Sequence, residues 1–379
     1  MKRKIAIFTT HPIQYQVPLF RALEKKKNID STVFYASNHG IKPKVDREFN
    51  KKFAWNINLV SGYKYKIIGS KKNNINSFLL NSNKIKKEMI NSGFDATIIF
   101  GWNSIYYLKS IIYSFFYSKI LILRVENNLL KKENSYKKFI KKAFLFLFFK
   151  FFDYFLYIGK QNYEFYRRNG IEKEKLLPAP YFVDNNFFKP KNKKNRIKIK
   201  NETVFIFSGK FIERKKPMDI LKALNSPILK KYNYKFIFVG EGKLKKKCIQ
   251  FCKKNNLTNI LFLGFVNQKQ IGKYYDLSDV VVMPSEYETW GLSINEAMAS
   301  GCACIVSNET GCVKDLVRTN GKNKNGLTFN CGDIRSLSLK IKYFLDNKKK
   351  ISKFKKNSIN IIKQYTLNKT IKSINKIVK

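Results

Sequence analysis

An α/β fold of two doubly wound, Rossmann-like domains facing across a cleft is predicted by three observations. Short runs rich in Val, Ile and Phe alternate with longer polar or amphipathic stretches along the whole chain, the pattern of buried parallel strands joined by crossover helices. The length, 379 residues, exceeds what one hydrophobic core usually serves. A polar, basic segment around Pro190 interrupts the pattern near mid-chain.

In the first half the strand candidates are KIAIFTT from Lys4, STVFYA from Ser31, DATIIF from Asp95, ILILRV from Ile120 and DYFLYIG from Asp153. In the second half they are TVFIFSG from Thr203, YKFIFVG from Tyr234, NILFLGF from Asn259, DVVVMP from Asp279, CACIVS from Cys302 and NGLTFN from Asn325. These runs set the expected boundaries: a first domain over 1–188, a linker over 189–202, a second domain over 203–355, and a helix over 356–379 that closes the molecule and packs back on the first domain. No internal repeat of solenoid period is present.

Composition narrows the functional classes. With 44% hydrophobic and 15% aromatic residues the chain is globular, not disordered. Lys and Arg number 75 against 26 Asp and Glu, a formal net charge of +49. The lysines run the whole length beside abundant Asn and Ile, as an AT-rich coding bias produces, and no aromatic-basic recognition module accompanies them. Specific nucleic-acid binding is therefore not expected; attraction to anionic membranes and phosphorylated ligands is, weakening with salt. The six cysteines have no CxxC spacing and read as reduced thiols. The opening MKRKIAIFTTHPIQ breaks too soon for a signal peptide, and the apolar stretch Lys137 to Lys160 is interrupted by Lys150 and Asp153. A cytoplasmic protein is expected. The stretch admits two readings, a core helix leading into DYFLYI, or an amphipathic face laid on the inner side of a membrane with Lys137, Lys138, Lys141 and Lys142 on anionic lipid.

In open α/β sheets ligands sit at the carboxyl ends of strands, so chemistry is sought just after the strand runs. The segment SEYETWGLSINEAMASG, Ser285 to Gly301, holds three glutamates and no Lys or Arg. Glu288 falls in the loop after DVVVMP and Glu296 in the first turn of the following helix, which Gly301 ends. Gly291 permits close approach of backbone to a ligand, and the helix's first N–H groups offer an anion site. Two structural alternatives stand beside this: SINE is an S-x-x-E capping box in which Glu296 folds back on Ser293, and Glu288 is a solvated loop acid. TVFIFSG ends in Gly209, and Lys210 and Lys215 follow, cations suited to neutralising a diphosphate leaving group. YKFIFVG ends in Gly240, the first glycine of a G-x-G, and after NILFLGF comes Val266. In the first half His11 directly follows a strand, where it faces the cleft as a hydrogen-bond donor or caps a turn before Pro12; His39 reads as a surface-loop residue. Glu126 follows ILILRV, as an acceptor-side group or as the partner of Arg124 or Lys131.

The order Gly209-Lys210, Lys215, VGEG, LGFV, PSEYETWGLSINEAMASG, NETGCVKDLV and NGLTFNCGD resembles the C-terminal half of retaining glycosyltransferases of family 4, the group 1 glycosyltransferases with the GT-B fold. The likeness is strong over about 203 to 335. It is weaker in the first half, where TTHPIQYQVPLFRAL is similar to the opening of bacterial members that build surface polysaccharides. The resemblance implies that Glu288 binds hydroxyls of a donor sugar with backbone amides near Trp290, Gly291 and Leu292. It further implies that Glu296 binds the ribose, that Lys210 and Lys215 clamp the diphosphate beside Gly209 and Gly240, and that Val266 lines the base pocket. A sugar would pass, with retained configuration and without a metal or cofactor, from a nucleotide diphosphate donor on the second domain to a glycan or lipid-linked acceptor on the first. In keeping with this, the chain contains no Asp-x-Asp. The chain departs from the family pattern at Cys312, where a second glycine is common, at Asp315, where Glu is, and in the His11 loop, which lacks a glycine pair. The rivals are a nucleotide-sugar epimerase of the same fold and a non-enzymatic basic protein binding membrane or nucleic acid.

Overall fold

The computed structural model describes residues 2–41, 44–46, 51–53, 58–69, 77–130, 135–190 and 202–379. The chain runs β1 (Arg3–Thr9), α1 (Val17–Glu24), β2 (Ile29–Tyr35), β3 (Lys44–Asp46), β4 (Lys51–Phe53), β5 (Lys64–Ile67), α2 (Ile85–Ser92), β6 (Ala96–Ile99), α3 (Ile105–Tyr117), β7 (Ile120–Leu123), α4 (Ser135–Phe148), β8 (Tyr154–Tyr157), α5 (Lys160–Arg168), β9 (Leu176–Pro178) and α6 (Asn185–Phe188). It continues as β10 (Thr203–Ser208), α7 (Pro217–Leu224), β11 (Tyr234–Val239), α8 (Lys245–Lys254), β12 (Ile260–Gly264), α9 (Gln268–Leu277), β13 (Val280–Met283), α10 (Leu292–Ala299), β14 (Ala303–Ser307), α11 (Val313–Leu316), β15 (Gly326–Phe329), α12 (Ile334–Asp346), α13 (Lys348–Ile362) and α14 (Leu367–Val378).

Two compact units result: one comprises residues 1–44, 54–181 and 366–379, the other 45–53 and 182–365. Most of the expected linker, residues 191–201, lies outside the described residues. The first unit holds a seven-stranded sheet in the order β5-β2-β1-β6-β7-β8-β9, parallel at every pairing. The second holds a six-stranded sheet, β12-β11-β10-β13-β14-β15, likewise parallel. All eleven predicted runs are strands. The α/β class with two doubly wound sheets is as the sequence predicts.

Central strands bury both faces, which is why they read as unbroken apolar runs. Phe205, Phe207, Phe236 and Phe238 on β10 and β11 are buried, as are Phe8, Phe34 and Phe155 in the first unit. Each such ring removed from water contributes roughly 1.5–3 kcal/mol. The strands that the pattern misses lie at edges or outside the main sheets. β5 (KYKI) has every residue exposed, and its lysines discourage edge-to-edge pairing. β9 ends in Pro178, which an edge tolerates. The expected closing helix over 356–379 is instead the end of α13 and a separate α14, broken where Thr366 takes an extended conformation before the second helix starts. α14 is tied within its own unit by Ser373 Oγ donating to the Pro178 carbonyl at 2.6 Å.

In each sheet the strand order reverses once, between β1 and β6 and between β10 and β13. Such reversal points open a crevice at the strands' carboxyl ends. At the second of them two glycines carry backbone packing. Gly240 has φ +139°, and a Cβ there would stand 1.9 Å from the Gly209 carbonyl oxygen. Gly240→Ala is therefore expected to destabilise the second unit by at least about 2 kcal/mol. The check is a lowered denaturant midpoint with an unchanged m-value.

Candidate functional site

The loops after β10 and β13 flank the reversal point of the second sheet, and their backbones lace together. Glu286 N donates to the Arg214 carbonyl at 2.8 Å, and Lys216 pairs with Glu286 at 3.1 Å. Lys216 itself sits in left-handed backbone (φ +48°), turning the chain sharply into Pro217 at the head of α7. This fold-back delivers Lys215 and Arg214 to the carboxylate of Glu288. Lys215 Nζ lies 2.5 Å from Glu288 Oε1, and Arg214 Nη1 donates to the same oxygen at 3.2 Å and to the Tyr287 carbonyl at 2.8 Å. The Glu288 and Lys215 side chains are 9% and 16% exposed. Glu288 is thus not a solvated loop acid. It is a nearly buried carboxylate held by two cations, one of which, Arg214, sequence reasoning passed over.

The Glu288 backbone is fixed from the other side. It forms an isolated parallel bridge with Thr310, Glu288 N donates to the Glu309 carbonyl at 3.2 Å, and Gly311 N donates to the Glu288 carbonyl at 3.1 Å. A Cβ on Gly311 would stand 2.0 Å from the Thr289 carbonyl oxygen, so the first position of the familiar glycine pair is sterically required. Cys312, at the second position, is fully buried; burial raises its thiol well above the ordinary value and leaves it an apolar filler.

α10 begins two residues earlier than the capping-box reading requires. Gly291 takes φ +103° as its N-cap, no side chain caps the helix, and Ser293 falls inside it. Glu296, the helix's fifth residue, is consequently turned into the protein, where the Tyr275 hydroxyl donates to its Oε2 at 3.0 Å. The capping box predicted as one alternative does not form. Trp290 is buried and donates Nε1–H to Asn295 Oδ1 at 2.8 Å, with its ring 6.2 Å from Tyr365, so its side chain braces the turn. Gly209, Lys210, Val266 and Leu292 are half-buried at or just beyond the ends of β10 and β12 and at the start of α10. Gly240 is buried against the Gly209 carbonyl. The signal for Tyr275 was its place in KYYDLSDV just before β13; nothing in that string marks it as the partner of Glu296.

In the first unit, His11 follows β1 and His39 follows β2, and the two rings meet edge-on at 5.3 Å. His39 is accordingly not an isolated surface residue. Thr10 Oγ1 lies 2.9 Å from His11 Nδ1. Burial, and secondarily His39, lower the His11 pKa to about 4, so the ring is neutral near pH 7. Arg124, after β7, is 95% buried between two rings, its guanidinium carbon 5.2 Å from the Phe100 centroid and 5.0 Å from that of Tyr181. Burial lowers the Arg124 pKa and Glu126 opposes that shift, the sign that Glu126 lies near it. Lys131, the other suggested partner of Glu126, lies outside the described residues. Glu126 also acts on Tyr107, whose hydroxyl burial pushes up to about 12.

Two parallel, doubly wound sheets, each with loops of mixed charge at its reversal point, define a protein of the GT-B fold class. Residues 188–361 match the model of the family described as glycosyl transferases group 1. Among curated proteins, the α-monoglucosyldiacylglycerol synthase of Acholeplasma laidlawii is 33% identical over 141 residues, 36% of this chain and 34% of that one. The first curated matches span only 28% to 34% of those proteins' lengths. Among solved structures, a glycosyltransferase from Rickettsia africae superposes with a TM-score of 0.72 at 15% identity, covering 100% of this chain and 98% of that one. Anabaena HepE in complex with UDP and glucose does so with a TM-score of 0.70 at 15% identity, covering 99% of both. At these identities the structural likeness is one of fold.

Two outcomes follow from the geometry. Tyr275→Phe removes a donor from a buried carboxylate and is expected to cost about 1–3 kcal/mol in equilibrium unfolding, with the fold retained by circular dichroism. For His11 the pKa in the folded protein is below the ordinary histidine value of 6.5, so the unfolded chain takes up the proton first. Its contribution to stability is then intact above about pH 6.5 and is lost as pH falls through about 4. Denaturant unfolding across that window checks this, with His11→Gln expected to flatten the slope.

Proposed function

We propose that the chain is a glycosyltransferase that moves a sugar from a nucleotide diphosphate donor to a glycan or lipid-linked acceptor. Transfer proceeds with retention of configuration and without a metal, in the cytoplasm, in the assembly of a cell-surface polysaccharide. The observation that carries this reading is the Lys215–Glu288–Arg214 cluster at the reversal point of the second sheet, eight residues before Glu296 and inside the segment that matches the group 1 family. The solved relative that binds UDP and glucose supports a nucleotide-sugar donor, and the lipid glucosyl synthase supports a lipid-linked acceptor.

In this reading Glu288 accepts hydrogen bonds from hydroxyls of the donor sugar, with the backbone amides of Trp290, Gly291 and Leu292 alongside. Glu296, oriented by Tyr275, accepts from the ribose hydroxyls, and Val266 lies against the base. Lys210 and Lys215 flank the diphosphate next to Gly209 and Gly240. As the bond between the anomeric carbon and the phosphate oxygen breaks, negative charge builds on the leaving diphosphate and the ammonium groups offset it. The acceptor hydroxyl forms the new bond on the same face of the sugar and passes its proton to the departing phosphate oxygen. His11, neutral near pH 7, and Glu126 contact the acceptor. No Asp-x-Asp exists in the chain to hold a divalent cation on the diphosphate, and lysines take that work.

A panel of UDP-, GDP- and ADP-sugars, assayed for donor hydrolysis with EDTA present, tests the reading. One donor is expected to turn over in EDTA, and Lys215→Ala to lower kcat about 10²–10³-fold with the fold retained. Hydrolysis of none of them, or interconversion of the sugar with the nucleotide still attached as an epimerase would give, would overturn it.

A further inference from the structure

The first unit carries an apolar surface that its own core does not use. α4 and the 3-10 turn Phe149–Phe151 that follows it are rich in Phe and Leu, yet among the described residues there only Leu145, Phe148 and Phe149 are buried. Phe139 (73% exposed), Leu147 (61%), Phe144 and Phe151 face out, and the last turns of α3 add Phe115 and Phe116 (71%). Phe151 and Phe115 touch, with ring centroids 5.4 Å apart, and Phe115 meets Phe116 at 5.5 Å, so α3 and the turn after α4 share one face. Further along α4, Phe144 stacks on Trp102 at 6.1 Å. Scattered exposed apolar residues are ordinary; a contiguous aromatic face of this kind marks a surface that another phase or molecule covers.

Charge decides which. From Ser135 to Phe152 the sequence has five lysines and no acid, and α3 has Lys109 and no acid. Lys142 and Lys150 are exposed among the aromatic rings, and Lys141 is half-buried beside them; the side chains of Lys137 and Lys138 lie outside the described residues. A second copy of a chain of formal charge +49 would bring like-charged faces together. An anionic bilayer supplies both an apolar interior for the rings and counter-charge for the lysines. No described helix is long and apolar enough to cross a membrane, so the face lies along the surface.

We infer that the α3–α4 face is a docking surface for an anionic lipid bilayer, with Phe116, Phe139 and Leu147 entering the headgroup boundary and Lys142 and Lys150 meeting lipid phosphate. This surface stands apart from the glycosyltransferase reading, and its test needs neither donor nor turnover.

Co-sedimentation of the full chain with phosphatidylcholine vesicles, with and without phosphatidylglycerol, tests it. The protein is expected to partition onto the anionic vesicles. The triple variant Phe116→Ser, Phe139→Ser, Leu147→Ser, altered only at exposed positions, is expected to partition at least about tenfold less with an unchanged melting temperature. Brominated lipid is expected to quench Trp102 fluorescence, a signal absent in Trp102→Phe, which keeps the inference testable should the triple variant fold poorly. Equal partition of wild type and triple variant, or absence of Trp102 quenching on bound vesicles, would overturn it. So would a dimer that the triple variant dissociates while vesicle binding persists.

Discussion

One oxygen of Glu288, shared by the Lys215 ammonium and the Arg214 guanidinium, is the constraint on which the second unit's site depends. A nearly buried carboxylate is costly to desolvate, and partners at hydrogen-bond distance offset that cost without leaving much net stability. What the cluster supplies is position. It ties the loop after β10 to the loop after β13 at the place where strand order reverses, and the Thr310 bridge and Gly311 hold Glu288 from behind. In so basic a chain, a carboxylate at this edge sets an acid group and two cations within a few ångströms of one another.

Much of this architecture is legible in the amino-acid string, for an identifiable reason. Central parallel strands are buried on both faces and must be apolar throughout, so TVFIFSG, DVVVMP and CACIVS announce themselves. Edge strands carry no such obligation, and KYKI and LLP pass unnoticed. The loops that carry the candidate residues can be located for the same reason, because β10 and β13 are recognisable and their loops follow directly. Partnership across sequence is what the string withholds. Arg214 stands 74 positions from Glu288, and Tyr275 stands 21 from Glu296. The capping-box reading of SINE fails because it uses local pattern alone: Gly291, free to adopt φ +103°, starts the helix early and rotates Glu296 inward.

The first unit repeats the logic with different groups. His11 and Arg124 also follow strands near a reversal point, and there too burial, not sequence, sets their character. The His11 ring loses its charge near pH 7, while the Arg124 cation is retained between the Phe100 and Tyr181 rings, which supply electrostatic attraction in place of water. The chain's only two histidines lie far apart in sequence and meet because β1 and β2 are neighbours.

The central claim is that the strand ends of the second unit grip a sugar nucleotide through acid groups for hydroxyls and cations for phosphates. A crystal structure with the donor, or with its nucleoside diphosphate, bound tests this most directly. The account predicts ribose oxygens at hydrogen-bond distance from Glu296, phosphate oxygens on Lys215, and, with intact donor, sugar hydroxyls on Glu288. A nucleotide seated elsewhere, with the Lys215–Glu288 pair and the Tyr275–Glu296 bond undisturbed and solvent in front of both, would contradict it.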